Sequence, residues 1–209
     1  MAQNIYKVRS FPNGNDQLDT FKKLGIVALG WPKIDDISQD SRSVISKKLM
    51  SEYSDMKTNN RRLGLTTGFF MRLLAMRPGD FVLIPYENKI VWIAQVTGLY
   101  QFNKTLASIH CAHTVPVQFL KNVDISAIPK DLKKSLNGPS SVSRLTSPKY
   151  FQAIQALIHL KRLPLTNFNG LVYESNSAGK MLRLTVSVDV TDVELELFFK
   201  EIRSRRANP

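Results

Sequence analysis

The amino-acid sequence predicts an α+β domain with a largely antiparallel sheet that curls into a small twisted β-barrel flanked by helices. Three observations lead there. Strand patterns and helical stripes alternate over the first 80 residues. Three successive strands then follow, joined by short loops. The resulting order, β-α-β-α-α-β-β-β with short loops between the later strands, makes the sheet largely antiparallel and able to curl into a small barrel.

Each element has its own signal. IYKVRSF (5–11) alternates apolar with polar residues, as a strand does, and Pro12-Asn13-Gly14 breaks it. Leu18, Phe21 and Leu24 fall at helical spacing, with Gly25 placed as the stop. IVALGW (26–31) reads as a buried strand ended by Pro32, and KIDDISQDS as a polar loop. Ser41 or Ser43 can cap a helix over 44–53. Residues 54–62 are polar. A stronger helix then carries Leu65, Phe69, Leu73 and Met76 on one stripe, with Phe70 and Leu74 beside it. Arg77-Pro78-Gly79-Asp80 makes a turn. FVLIPY (81–86) and the long run 90–102 form a hairpin, and 109–120 gives another strand, in which Pro116 predicts an edge or a bulge.

From 121 to 148 the chain is turn-rich, with at most short helices. A helix over 149–160 carries Phe151, Ile154, Leu157 and Ile158. Residues 165–180 read as loop. MLRLTVSVDV (181–190) alternates strictly, and Thr191 with Glu194 fits a capping box for a terminal helix. We therefore expect a recognition domain over 1–162. A small C-terminal strand–helix unit over 163–209 would serve docking or dimerisation.

Composition narrows the function. The 209 residues are 43% hydrophobic and 22% charged, which fits an ordinary globular core and excludes global disorder. A lone cysteine, Cys111, excludes a disulfide framework and a cysteine-rich zinc site. No apolar run reaches the roughly 18 residues of a membrane span, and the N-terminus has no apolar signal core. The expected setting is the cytoplasm, with no membrane partner.

Twenty-nine Lys and Arg oppose 17 Asp and Glu, a net charge of +12. That balance points to a polyanion, with nucleic acid first. The excess is spread along the chain, so any binding face must be assembled by folding.

Catalytic patterns are missing. The sequence has no GxxxxGK(S/T) phosphate loop, no HExxH and no GxSxG. His110, Cys111 and His113 are close in sequence, but a strand would turn 110 and 111 to opposite faces. Asp35, Asp36, Asp80 and Glu87 do not form a nuclease-like carboxylate cluster. We expect no enzyme activity, no metal and no cofactor.

The aromatics say more. Trp31 ends a buried strand beside a polar loop, and Tyr86, Tyr100 and Phe102 fall at strand ends. Flat rings at strand ends of a basic domain suit stacking on an unstacked base. Trp92, in mid-hairpin, reads as core. Arg9, Lys33, Arg61, Arg62 and Lys104 are candidate phosphate contacts.

Four fragments in order carry a family resemblance: Gly30-Trp31, Met76-Arg77-Pro78-Gly79-Asp80, Val96-Thr97-Gly98-Leu99-Tyr100 and His113-Thr114-Val115-Pro116-Val117. Together they resemble the N-terminal PUA-like (EVE/YTH-like) domain of Mrr- and McrB-type modification-dependent restriction systems, over roughly residues 5–160. The segment with Ile128-Pro129 and Leu132–Gly138 resembles that family's linker.

The resemblance implies a small twisted barrel with a pocket for a flipped, often modified, base. It makes Trp31 a wall of that pocket, with Tyr100 and Phe102 candidates by position. The implied role is a non-catalytic DNA-recognition module of a bacterial antiviral defence system. Such a module works with a nuclease or other effector, and homo-oligomers are possible. RNA binding, or a protein-interaction role in a defence complex, is the alternative. No Mrr nuclease motif or AAA+ motor follows residue 165, where the chain departs from the family pattern.

Overall fold

The computed structural model describes residues 3–159, 171–176 and 179–184. The chain divides into two units, 1–158 and 159–209. The first is a mixed α+β fold, a curled half-barrel sheet flanked by helices.

Its strands are β1 (Ile5–Val8), β2 (Ile26–Leu29), β3 (Phe81–Tyr86), β4 (Ile90–Val96), β5 (Gln101–Phe102), β6 (His113–Asp124) and β7 (Val142–Leu145). The order is β2-β6-β4-β3-β1-β7, with β5 also on β6. β1 runs parallel to β3, and every other pair is antiparallel. The path ends at β2 and β7, so the sheet curls as expected but as an open half-barrel.

β6 supplies the bend. Its first residues pair with β2 and β5 and its last with β4. The register on β4 slips between Ile93 and Ala94, leaving Leu120 as an extra residue. Such a bulge adds local twist and curvature.

The helices are α1 (Leu18–Leu24), α2 (Arg42–Glu52), α3 (Ser54–Thr58), α4 (Asn60–Leu74), α5 (Lys130–Asn137) and α6 (Pro148–His159). The strands of the sheet's centre are buried on both faces. In β3, Val82 and Ile84 join the core formed with α1 to α4, while Phe81 and Leu83 face α5 and α6. Strict alternation of two apolar faces produces the continuous FVLI run. Each large side chain so buried contributes roughly 1.5–3 kcal/mol.

Local chemistry explains the ends. Gly25 closes α1 in the left-handed region at φ 64°, where its carbonyl also accepts from Val117 N–H. Ser41 Oγ accepts the Val44 N–H at the start of α2, and Asn59 Oδ1 accepts the Arg62 N–H at the start of α4.

The structure differs from expectation at several points. α4 begins at Asn60, so its buried face is Leu63, Thr66, Thr67, Phe70 and Leu73, with Phe69 beside it, while Leu65 is exposed. The long strand 90–102 breaks after Val96, where Gly98 passes against the Pro116 ring. Residues 104–109 form a 3-10 turn, which delays β6 to His113. Pro116 sits inside the sheet rather than at an edge, between β2 and the β4–β5 connection. β7 arises from the turn-rich stretch and pairs with β1. Trp92 is half-buried, with its edge toward Phe119 and the Lys22 ammonium 5.0 Å from its ring centre.

In the second unit, β8 (Leu171–Asn176) and β9 (Gly179–Leu184) form an antiparallel hairpin. β8 falls in a stretch read as loop. The end of the expected 181–190 strand and the terminal helix lie outside the described residues.

Asp80 joins β1 to β3. It is buried, and Oδ1 accepts the Asn4 N–H at 2.7 Å while Oδ2 accepts the Arg77 N–H at 2.9 Å. Asp80→Ala leaves both part-buried donors without this acceptor, and we expect a loss of about 2 kcal/mol of unfolding free energy. Urea denaturation measures it; an unchanged midpoint would mean that this carboxylate does not hold the two strands together.

Candidate functional site

A cavity of about 350 Å³ opens at the end of β2. Trp31, Lys33, Tyr53 and Arg62 line it, with Asn13 and His110 at its rim. Four non-helical segments and the start of α4 converge there.

Trp31 has an unusual backbone. Its φ is 64°, in the left-handed region that costs an L-residue about 1–2 kcal/mol. A bulky residue keeps such a conformation only where its surroundings over-determine it. Here the indole lies against Phe70, 5.6 Å between ring centres, and Phe69, 6.4 Å. Both rings come from α4. The indole is half-buried, so it contributes to the cavity wall while its back is packed.

The cavity carries positive charge. The Lys33 ammonium lies 5.8 Å from the centre of the Tyr53 ring, and the Lys33 N–H donates to Tyr53 Oη. Burial holds the Tyr53 phenol above its usual range, so it stays protonated. Arg62 pairs with Asp55 at 2.5 Å, an exposed bridge of little stabilising value. Asn13 Nδ2 and His110 Nε2 lie 3.2 Å apart, and both residues have positive φ.

Behind the Trp31 wall lies a second tier of rings. Phe70 meets the buried His113 edge-on at 4.8 Å between centres, and Tyr100 and Phe102 flank the same imidazole. Tyr100 Oη is 2.8 Å from His113 Nδ1. Burial raises the Tyr100 phenol, so it donates and Nδ1 accepts. The carbonyls of Trp31 and Ile34 face the other side of the ring, although Nε2 makes no hydrogen bond of good geometry among the described residues.

The sequence-predicted residues therefore separate. Trp31, Lys33 and Arg62 come together. Tyr100 and Phe102 do not line the cavity; they support His113 behind it, because the chain turns after Val96 and carries them inward. Tyr86 is also outside it, at the turn end of the β3–β4 hairpin, stacked on Phe11. Arg9 is bonded to the Gly138 carbonyl beside that pair. Arg61 and Lys104 are exposed and do not line the cavity.

Tyr53, Asn13 and His110 were not singled out as cavity residues from the sequence. Tyr53 was detectable as a lone aromatic in a polar stretch, and Asn13 as part of an Asn-Gly turn.

Among the described residues, no three His, Cys, Asp or Glu side chains assemble as metal ligands. Cys111 is buried, and burial pushes its thiol up to about 11, which leaves it a poor nucleophile.

His113 makes stability depend on pH. Burial pushes its pKa down to about 4, against weaker opposing effects from the Trp31 and Ile34 carbonyls and from Asp36 and Asp35. The unfolded imidazole titrates near 6.5. Between those values the unfolded state binds the extra proton. Stability is therefore full above pH 6.5, falls as pH drops toward 4 and levels off below it. The loss is of order 3 kcal/mol. Urea denaturation from pH 7.5 to 4.5 reads it, and His113→Gln should flatten that component. Identical pH slopes for the two proteins would remove His113 as the cause.

Comparison with known proteins places these observations in a family. No curated protein matches the chain. Among solved structures, protein Atu2648 from Agrobacterium tumefaciens is 17% identical, with 73% of this chain and 92% of that one covered and a TM-score of 0.38. The YTH domain of Zygosaccharomyces rouxii MRB1, in complex with N6-methyladenosine RNA, is 9% identical, with 75% and 86% covered and a TM-score of 0.38. At that score neither likeness bears on function. A family model does match, over residues 6–146, from within β1 through β7 and including the whole Trp31 cavity. The chain belongs to the family described as Domain of unknown function (DUF8426).

Proposed function

We propose that the chain is a non-catalytic nucleic-acid-recognition module that takes one unstacked base into the Trp31 cavity. The observation that carries this reading is Trp31 itself. A bulky ring is held in a strained backbone conformation at the wall of a cavity whose charged lining, Lys33 and Arg62, is cationic. The volume lies near the lower end of the roughly 300–1,000 Å³ of small-ligand sites, which suits a single heterocycle.

The energetics are consistent. Removing a base from its stack costs a few kcal/mol, and stacking on a ring returns roughly 1–3 kcal/mol. Stacking alone at best offsets extrusion. Net affinity then has to come from phosphate contacts, which Lys33 and Arg62 are placed to make. Specificity would come from the cavity's shape and from hydrogen bonding by Asn13, Tyr53 and His110.

The resemblance to PUA-like domains of modification-dependent restriction systems supports DNA over RNA as the partner. It also supports a modified base as the target and a nuclease or other effector as the working partner in a prokaryotic cytoplasm. No helix among the described residues is long and apolar enough to cross a membrane.

Binding of the full chain to labelled duplexes with unmodified, methylated or hydroxymethylated bases tests the reading. Trp31→Ala should weaken the preferred duplex roughly 5- to 100-fold, with the fold retained by circular dichroism. Full affinity in a folded Trp31→Ala protein would refute base readout. Asp55→Asn removes the carboxylate that competes with phosphate for Arg62 and should tighten binding several-fold. Preference for a matched RNA in competition would replace DNA with RNA.

A further inference from the structure

The second recess in the first unit has about 270 Å³ and is lined by Arg9, Phe11, Glu87, Asn88 and Asn137 among others. Its one aromatic lining residue is Phe11, which stacks on Tyr86 beside the recess. Phe11 and Tyr86 stack with ring centres 6.4 Å apart and planes 11° apart. Phe11 is 42% exposed, an unusual position for a phenylalanine.

Cationic groups gather on one side. Arg9 Nη2 and Lys7 Nζ both donate to the Gly138 carbonyl, at 3.0 and 2.7 Å. Lys7 is fully buried, so its charge has no solvent shell. The acids, Asp16 and Glu87, lie by the Tyr86 phenol and hold its pKa up to about 12. Anion affinity is therefore confined to the Arg9 side, and the ring faces form the other side.

The two cavities share one short segment. Phe11 lines the second recess, and Asn13 lines the Trp31 cavity. Two residues apart, their Cα atoms are at most about 7.6 Å from each other. The step between neighbouring nucleotides of an extended strand is of that order. Pro12 between them is buried and Asn13 itself is tied to His110, so the segment is fixed to the body of the fold.

We propose that the recess lined by Phe11 and Arg9 holds the nucleotide next to the one held at Trp31, its base on the exposed Phe11 face and its phosphate on Arg9. The module then grips at least a dinucleotide. This inference rests on the reading of the Trp31 cavity as a base site.

The test uses the full chain and a labelled single-stranded 12-nucleotide DNA of mixed sequence, followed by fluorescence anisotropy. Phe11→Ala should weaken binding roughly 5- to 150-fold, the range of one base–ring stack, and Phe11→Trp should keep it. Arg9→Gln should lower the salt slope by about 0.7, the share of one phosphate contact on a single strand.

If Trp31→Ala weakens the 12-mer while folded Phe11→Ala binds as wild type and Arg9→Gln leaves the salt slope unchanged, the second subsite is wrong and the first stands. If Trp31→Ala also binds as wild type, the base site is wrong and this inference falls with it. Should Phe11→Ala fail to fold, the decision passes to Phe11→Trp and Arg9→Gln. Phe11→Trp binding at least as tightly as wild type, with a lowered Arg9→Gln slope, supports the subsite; an unchanged slope overturns it.

Discussion

One buried carboxylate joins parts of the chain that are 76 residues apart. Asp80 accepts the N–H of Asn4, just before β1, and that of Arg77, in the turn that opens β3. A parallel pair cannot be made by a hairpin, so β1 and β3 depend on contacts outside their ladder to find register. Gly79, at φ 94°, allows the tight turn that brings Asp80 inward. β7 then adds to the free edge of β1, and α5 and α6 cover the face shared by Ile5, Phe81 and Leu83. The outer half of the sheet thus follows from a register that a single side chain helps to fix.

The inner half positions the cavity. β2 is held on β6 from Ile26 to Leu29, and Trp31 emerges two residues later. Its indole is locked by Phe69 and Phe70, and Phe70 rests on His113 from the first residue of β6. A neutral, buried imidazole thereby lies between the sheet and the Trp31 wall, with Tyr100 fixing its tautomer. Strain at Trp31 is tolerated because this ring packing is worth more than the one or two kcal/mol of an unfavourable φ.

Charge is organised more loosely than packing. The +12 excess gives the surface a general affinity for polyanions, but it does not by itself mark a site. What localises it is the pairing of particular cations with particular neighbours. Arg62 is held near the Trp31 cavity by an exposed bridge that is easily exchanged for a phosphate. Lys7 and Arg9 instead share a carbonyl at the end of α5, where the helix dipole favours positive charge. That contact serves stability first, and it leaves Arg9 at the wall of the second recess.

The sequence alone determined the element types wherever one period dominates. The stripe Leu18–Phe21, the FVLI run and the Phe151–Leu157 stripe give a helix, a strand and a helix because local periodicity reflects which side is buried. It also marked Trp31, Lys33 and Arg62, since a tryptophan at the end of an apolar strand and cations in polar loops are visible locally. The tertiary structure decided the rest. β7 has only four residues in a turn-rich stretch, and it is a strand because β1 offers it an edge. Leu65 looked like core because a helical stripe has no absolute phase until a partner face sets it. Tyr86, Tyr100 and Phe102 read alike as rings at strand ends, yet the bend after Val96 sent two of them behind the cavity and the hairpin carried the third to the other recess. Tyr53, Asn13 and His110 reach the Trp31 cavity from segments with no period linking them. Sequence fixes what a residue can do within a turn or two of chain, whereas which residues meet depends on non-local pairing that only the folded sheet supplies.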